Sequence, residues 1–141
     1  MPPANRRIAK IVALALVAFA LPATASMAAN VELLHGAVRA GSHDAAGRAT
    51  VVQVDGARRI LALRNFRIDP GPLVRVYLVP RRAKGDSDVR KDFKDLGRLK
   101  GNRGNQQYAI PASVDLRRYR SVIFWCVPFT QTLARANLAR S

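Results

Sequence analysis

The stretch GRATVVQVDGARRILALRNF, residues 47–66, decides the fold. Two β-type runs, 47–54 and 58–64, flank Asp55-Gly56. A tight type I′ turn needs two successive residues at positive φ, which Asp-Gly supplies at little steric cost. The pattern therefore predicts a β-hairpin. In the second run Leu61 and Leu63 share one face, with Ile60 and Ala62 on the other. Two partly apolar faces suit a strand inside a sandwich rather than a solvated edge.

Further along the chain the same grammar repeats. PGP at residues 70–72 cannot continue a ladder and marks a turn. LVRVYLV, 73–79, reads as a strand. PRRAKGDSDVRKDFKD, 80–95, is charged and without periodicity, and is predicted to be an exposed loop. LGRLKGNRGNQQYAIP, 96–111, holds two short extended pieces around a turn at 101–105. ASVDLRRY, 112–119, predicts one helical turn with Ser113 as its N-cap. SVIFWCV, 121–127, is the candidate central strand: Ile123, Trp125 and Val127 share one face, and Val122, Phe124 and Cys126 the other. Pro128 ends it, and FTQTLARANL forms the last strand. The expected fold class is all-β: a β-sandwich-like or partly closed barrel of short, mostly antiparallel strands.

The N-terminus has its own pattern. Arg6, Arg7 and Lys10 precede ten unbroken apolar residues, 11–20, and small residues follow. A bilayer span takes about 20 apolar residues, so the run is short for a membrane helix and right for a signal peptide. The expected division is a signal peptide over 1–28, cleaved near Ala25 or Ala28, and a single domain over 29–141 that is exported to a periplasm or beyond. No later segment is long and apolar enough to span a membrane. Removing Arg6, Arg7 and Lys10 takes the net charge from +15 to +12. That field favours anionic partners, such as an acidic surface polymer or an acidic redox protein, with Arg81, Arg82, Lys84, Arg90 and Lys91 as the docking set. Aromatic residues are not interleaved with the basic ones, so nucleic acid is not favoured.

Standard catalytic sets are absent: there is no G-x-S-x-G elbow, Walker loop or dinucleotide fingerprint. Five of the eight aspartates crowd into 86–115 among basic residues, as in a solvated mixed-charge loop. The chain fits a redox or binding module better than a stand-alone enzyme. No C-x-x-C-H motif for covalent haem and no paired His/Cys zinc spacing occur. Two histidines, His35 and His43, and one cysteine, Cys126, remain. They form a three-ligand set only if the fold gathers them. A lone cysteine in an exported chain is either a reactive thiol, a ligand, or a small buried hydrophobe. Both faces of its strand are apolar, so reactivity requires a nearby partner such as His43 or an arginine.

Taken in order, Gly36-x-Val38, His43 with Gly47, LALRNF at 61–66, GPLVRVYL at 71–78, LGRLKGNRGNQQYAIP at 96–111, Tyr119, VIFWC at 122–126, Phe129, and Ala136 with Leu138 resemble the electron-transfer DM-thirteen domain. This is an extracytoplasmic module found beside DOMON domains. The resemblance implies a β-sandwich-like domain whose characteristic cysteine corresponds to Cys126 and whose histidine corresponds to His43. It also implies a redox role in which Cys126 is a bare thiol or the ligand of a prosthetic group such as haem, with His43 as second ligand or activator. A DOMON-type redox partner goes with it. Two positions depart from the family pattern: Leu73 replaces a polar residue after the Gly-Pro turn, and Leu133-Ala134 replaces an aromatic-glycine pair. The alternative is a basic, non-enzymatic binding module in which Cys126 only packs.

Overall fold

The hairpin forms as its turn residues demand in the computed structural model, which describes residues 13–23 and 29–141. Strands β2 (Ala45–Val54) and β3 (Arg58–Ile68) pair antiparallel. Asp55 and Gly56 sit at φ 50° and 74°, and the Ala57 N–H donates to the Val54 carbonyl at 3.2 Å. The other elements are β1 (Val31–Ala40), β4 (Val74–Pro80), α1 (Asp86–Lys91), β5 (Lys94–Arg98), β6 (Arg103–Ile110), β7 (Tyr119–Cys126), β8 (Gln131–Asn137) and β9 (Ala139–Arg140). Their order is β5-β4-β7-β8-β1-β2-β3-β6, with β9 also on β1, and every pairing is antiparallel. The expected all-β, partly closed barrel is what forms.

Closure is achieved by β1, a strand the sequence reading does not single out. Its first part pairs with β2, and Val38, Arg39 and Ala40 pair with β8. Gly36 sits at the crossing, where the chain kinks between β8 and β9. A Cβ at Gly36 would stand 2.1 Å from the Asn137 carbonyl oxygen. At the far side β5 and β6 approach each other, but among the described residues no ladder pairs them. The seam is bridged by Lys100, whose N–H donates to the Tyr108 hydroxyl at 2.9 Å and whose ammonium donates to the Gln107 carbonyl.

The core lies between the two halves. Leu61, Leu63, Phe66 and Ile68 of β3 all face it, although strict alternation would turn Phe66 outward. A bulge between Leu63 and Phe66, with Asn65 at φ 48°, inserts the extra residue that restores the inward face. Gly47, at φ 132° opposite the bulge, leaves room for it: a Cβ there would meet Phe66 Cα at 2.9 Å. Phe66 then stacks on Phe124 of β7, with centroids 4.8 Å apart, and locks the two halves together.

Strand β7 is buried on both faces, as its alternation predicts. Val122, Phe124 and Cys126 enter the main core. Ile123 and Trp125 form a second cluster with Tyr77, Val79, Ala83 and Val89. That cluster corrects the reading of 80–95 as an exposed loop. The segment holds α1 and the start of β5, and it lays Ala83 and Val89 over the outer face of β7. Two apolar residues in a charged run give no periodicity, yet Trp125 and Ile123 need a cover. The single turn predicted within 112–119 forms over 115–119, and only its cap is corrected. Asp115, not Ser113, organises the bend: its carboxylate accepts from the Arg117 N–H at 2.9 Å, and its carbonyl accepts from Arg118 and Tyr119 N–H.

No helix among the described residues is long and apolar enough to cross a membrane. In the expected signal peptide, residues 1–12 and 24–28, with both cleavage positions, lie outside the described residues. Residues 13–23 are exposed and form neither helix nor strand.

Candidate functional site

Cys126 is the last residue of β7, at the rim of the barrel rather than its middle. It pairs with Val74 of β4 and Gln131 of β8. Two turns close over it, 70–73 before β4 and 127–130 after β7. The Val127 N–H donates to the Leu73 carbonyl at 3.2 Å and joins them. The thiol donates to the Pro72 carbonyl at 3.3 Å. Cys126 is 1 % exposed.

His43 reaches the same rim through the 41–44 turn after β1. The N–H groups of Gly41 and His43 both donate to the Leu133 carbonyl, at 3.0 and 3.1 Å, and the Ser42 hydroxyl donates to the Thr132 carbonyl at 3.1 Å. The His43 Nδ1 lies 3.0 Å from the Asp69 carbonyl, and the Asp69 N–H donates to the Asp44 carbonyl at 2.9 Å. The Asp44 carboxylate accepts from Arg67 at 2.7 Å, and that hydrogen bond holds its carboxyl below the usual range. Gly71 is wedged between the turns: a Cβ there would lie 2.9 Å from Leu133 Cδ1 and 3.4 Å from His43 Cε1. The fold thus brings Cys126 and His43 to one end of the barrel, with Gly71-Pro72 between them, but the sulfur bonds to Pro72.

His35 is not part of this end. Its Nδ1 lies 2.8 Å from the Ser141 hydroxyl and 3.2 Å from Glu32. The two histidines and Cys126 therefore do not form a three-ligand set, and among the described residues no three His, Cys, Asp or Glu side chains converge as metal ligands. Haem does not fit the arrangement either. A macrocycle on the sulfur would have to displace the Pro72 carbonyl and the core beneath it. Five clefts among the described residues have neither Cys126 nor His43 in their walls.

Sequence reasoning located Cys126, His43 and the PGP turn, but not that they meet. It missed two strained positions over the thiol. Leu73 and Thr130 adopt φ 45° and 46°, the left-handed region that costs an L-residue about 1–2 kcal/mol. The polar residue usual after the Gly-Pro turn was the available signal, since Asn and Asp tolerate this conformation.

A family model described as Electron transfer DM13 matches residues 37–138, more than half of the chain. No curated protein and no solved structure matches.

Proposed function

The chain belongs to the electron-transfer DM13 family, and from that premise we propose that it is an exported redox module whose working group is the bare thiol of Cys126. The observation that carries this reading is the placement of the sulfur. It lies at the barrel rim, beneath two turns that each hold a non-glycine residue at positive φ. Such strain lowers the free energy of opening those turns relative to the ladders around them. Opening the 70–73 turn removes the Pro72 acceptor and presents the sulfur without unfolding β7. Export is supported by the charged, apolar and small-residue pattern of the leader.

With no second cysteine in the sequence, the thiol exchanges electrons here with sulfur from another molecule. Cys126 releases its proton to solvent, and its sulfur attacks one sulfur of a partner disulfide. A mixed disulfide forms and the partner's other sulfur leaves as a thiolate, so the oxidation of Cys126 is matched by that reduction. The absence of a second cysteine leaves resolution to the partner. His43 is a positioning residue: it ties the 41–44 turn to Asp69 and so braces Gly71-Pro72.

The test is reaction of the folded protein with a small aromatic disulfide that releases a coloured thiolate. The expected result is one equivalent released without denaturant, at a rate that does not follow global unfolding, and none from Cys126→Ser. Reaction that appears only in denaturant, in step with unfolding, would reduce Cys126 to packing. A Soret band in the exported protein that disappears in Cys126→Ser would also overturn the bare-thiol reading.

A further inference from the structure

The opposite end of the β4–β7 ladder carries a different cluster. Pro80 ends β4 and pairs with Tyr119 at the start of β7, so the turn leaving one strand meets the turn entering the other. The Arg81 N–H donates to the Arg118 carbonyl at 3.3 Å and fixes the two together. Between them lies a cleft of about 330 Å³, walled by Pro80 and by five arginines: Arg81, Arg82, Arg117, Arg118 and Arg120. No lysine lines it.

Five guanidinium groups around one small cleft repel one another unless something neutralises them. Two are matched internally. Arg117 pairs with Asp115 at 3.2 Å, and Arg118 pairs with Asp92, which also accepts the Tyr119 hydroxyl at 2.6 Å. Arg81, Arg82 and Arg120 have no carboxylate partner among the described residues. The Nε of Arg120 is enclosed and has no hydrogen-bond partner among them either. The fold therefore gathers three surplus cations around one cleft, one of them with an unmet donor. That arrangement is unfavourable when empty and favourable around an oxyanion.

We propose that this cleft binds a phosphate group. Guanidinium forks donate paired, planar N–H bonds that match phosphate oxygens, which explains a wall of arginine rather than lysine. Three unmatched cations suit a group that concentrates up to two negative charges and several acceptors on one centre. A carboxylate brings one charge, and two carboxylates already pair with Arg117 and Arg118. The site is separate from the thiol. Strand β7 has eight residues from Tyr119 to Cys126, so the two lie about 23 Å apart at roughly 3.3 Å per residue. A phosphate bound there does not cover the rim that holds Cys126, and anchoring at one end is compatible with redox chemistry at the other.

The test titrates the mature domain with inorganic phosphate at low ionic strength, and separately with phosphatidylglycerol and phosphatidylcholine vesicles. One triple variant is Arg81→Gln, Arg82→Gln, Arg120→Gln. The control triple is Arg39→Gln, Arg64→Gln, Arg103→Gln, which removes equal charge from exposed positions outside the cleft. Arg82→Glu, on an exposed turn, reports the same site should the triple lose its fold. The expected result is saturable binding that weakens about tenfold or more in the cleft variants and little in the control. Saturation by free phosphate without vesicle retention identifies a soluble phosphate. Retention on phosphatidylglycerol that free phosphate competes away identifies a lipid headgroup. Equal weakening in both triples, or no saturable binding of either probe, would overturn the proposal. So would capture of an acidic peptide that phosphate does not displace. The disulfide reaction of Cys126 is unaffected by any of these outcomes, so the two readings fail independently.

Discussion

Replacing Gly36 by alanine strikes the joint on which barrel closure depends. The added methyl would stand 2.1 Å from the Asn137 carbonyl oxygen, 3.0 Å from its carbon and 3.3 Å from Leu138 Cδ2. The nearest obstacle is backbone, so no rotamer change relieves it, and the chain must retreat by about 1 Å to reach a tolerable contact. Overpacking typically costs about 1–3 kcal/mol, and a rigid backbone obstacle places this case at the upper end. Retreat also loosens Leu138, which is fully buried and whose side chain is worth roughly 2 kcal/mol when removed from water. Alanine stiffens the unfolded chain and returns about 0.4–1 kcal/mol. The net expectation is a loss of about 3 kcal/mol, or a fall in Tm of roughly 12 °C for a domain of this size. Thermal melts followed by circular dichroism measure it, with Gly85→Ala as control because nothing lies within 4 Å of a Cβ there. A Gly36→Ala variant that melts within about 2 °C of the parent would refute the claim that β1 crosses the β8–β9 kink at this contact.

Leu73→Asn relieves a left-handed residue that is 42 % exposed, so it should raise stability by about 1 kcal/mol in urea titration. It should also slow the disulfide reaction of Cys126; a loss of stability would mean that the leucine side chain is needed for packing. Arg59→Ala removes a guanidinium nitrogen that donates to the carbonyls of Pro111, Ala112 and Val114 at 2.9, 3.0 and 2.8 Å. It should cost about 1–3 kcal/mol in the same assay, with Arg59→Lys recovering only part. Acid should destabilise the fold through surface carboxylates. A hydroxyl bond from Ser141 holds Glu32 below its usual range, Arg67 does the same for Asp44, and Arg117 for Asp115. A pKa lower in the folded than in the unfolded state stabilises above the unfolded value, near 4, and that stability is lost as pH falls through the folded value. The urea midpoint should therefore decline below about pH 5, and Asp44→Asn with Asp115→Asn should flatten the decline.

The parts of the fold legible in the sequence are those written in local chemistry. Asp55-Gly56 announces its turn, and the two apolar faces of 121–127 announce a strand buried from both sides. The bulge in β3 was readable in principle, because Leu61, Leu63, Phe66 and Ile68 break parity beside Asn65. The cover over Trp125 was not, because Ala83 and Val89 are too few to mark a helix within a charged run. At the candidate site the types of side chain were legible and their partners were not. Sulfur and imidazole both bond to backbone carbonyls, of Pro72 and Asp69, and a carbonyl has no signature in the sequence. The arginines show the same limit. Sequence proximity grouped Arg81 and Arg82 with Lys84, Arg90 and Lys91, whereas the fold groups them with Arg117, Arg118 and Arg120.

The seam between β5 and β6 gives the barrel a direction in which to open. Side chains from Lys100 and Tyr108 close it in place of a ladder, so amide hydrogens along β5 should exchange with solvent before those of β7, which is paired on both sides. An unpaired edge is also a template on which a second chain could add a strand. Here the template is poor. Strand β5 has five residues, Gly97 at φ 114° breaks its regularity, and Lys94, Asp95 and Arg98 charge it. The barrel can therefore breathe along one side without offering that side for association.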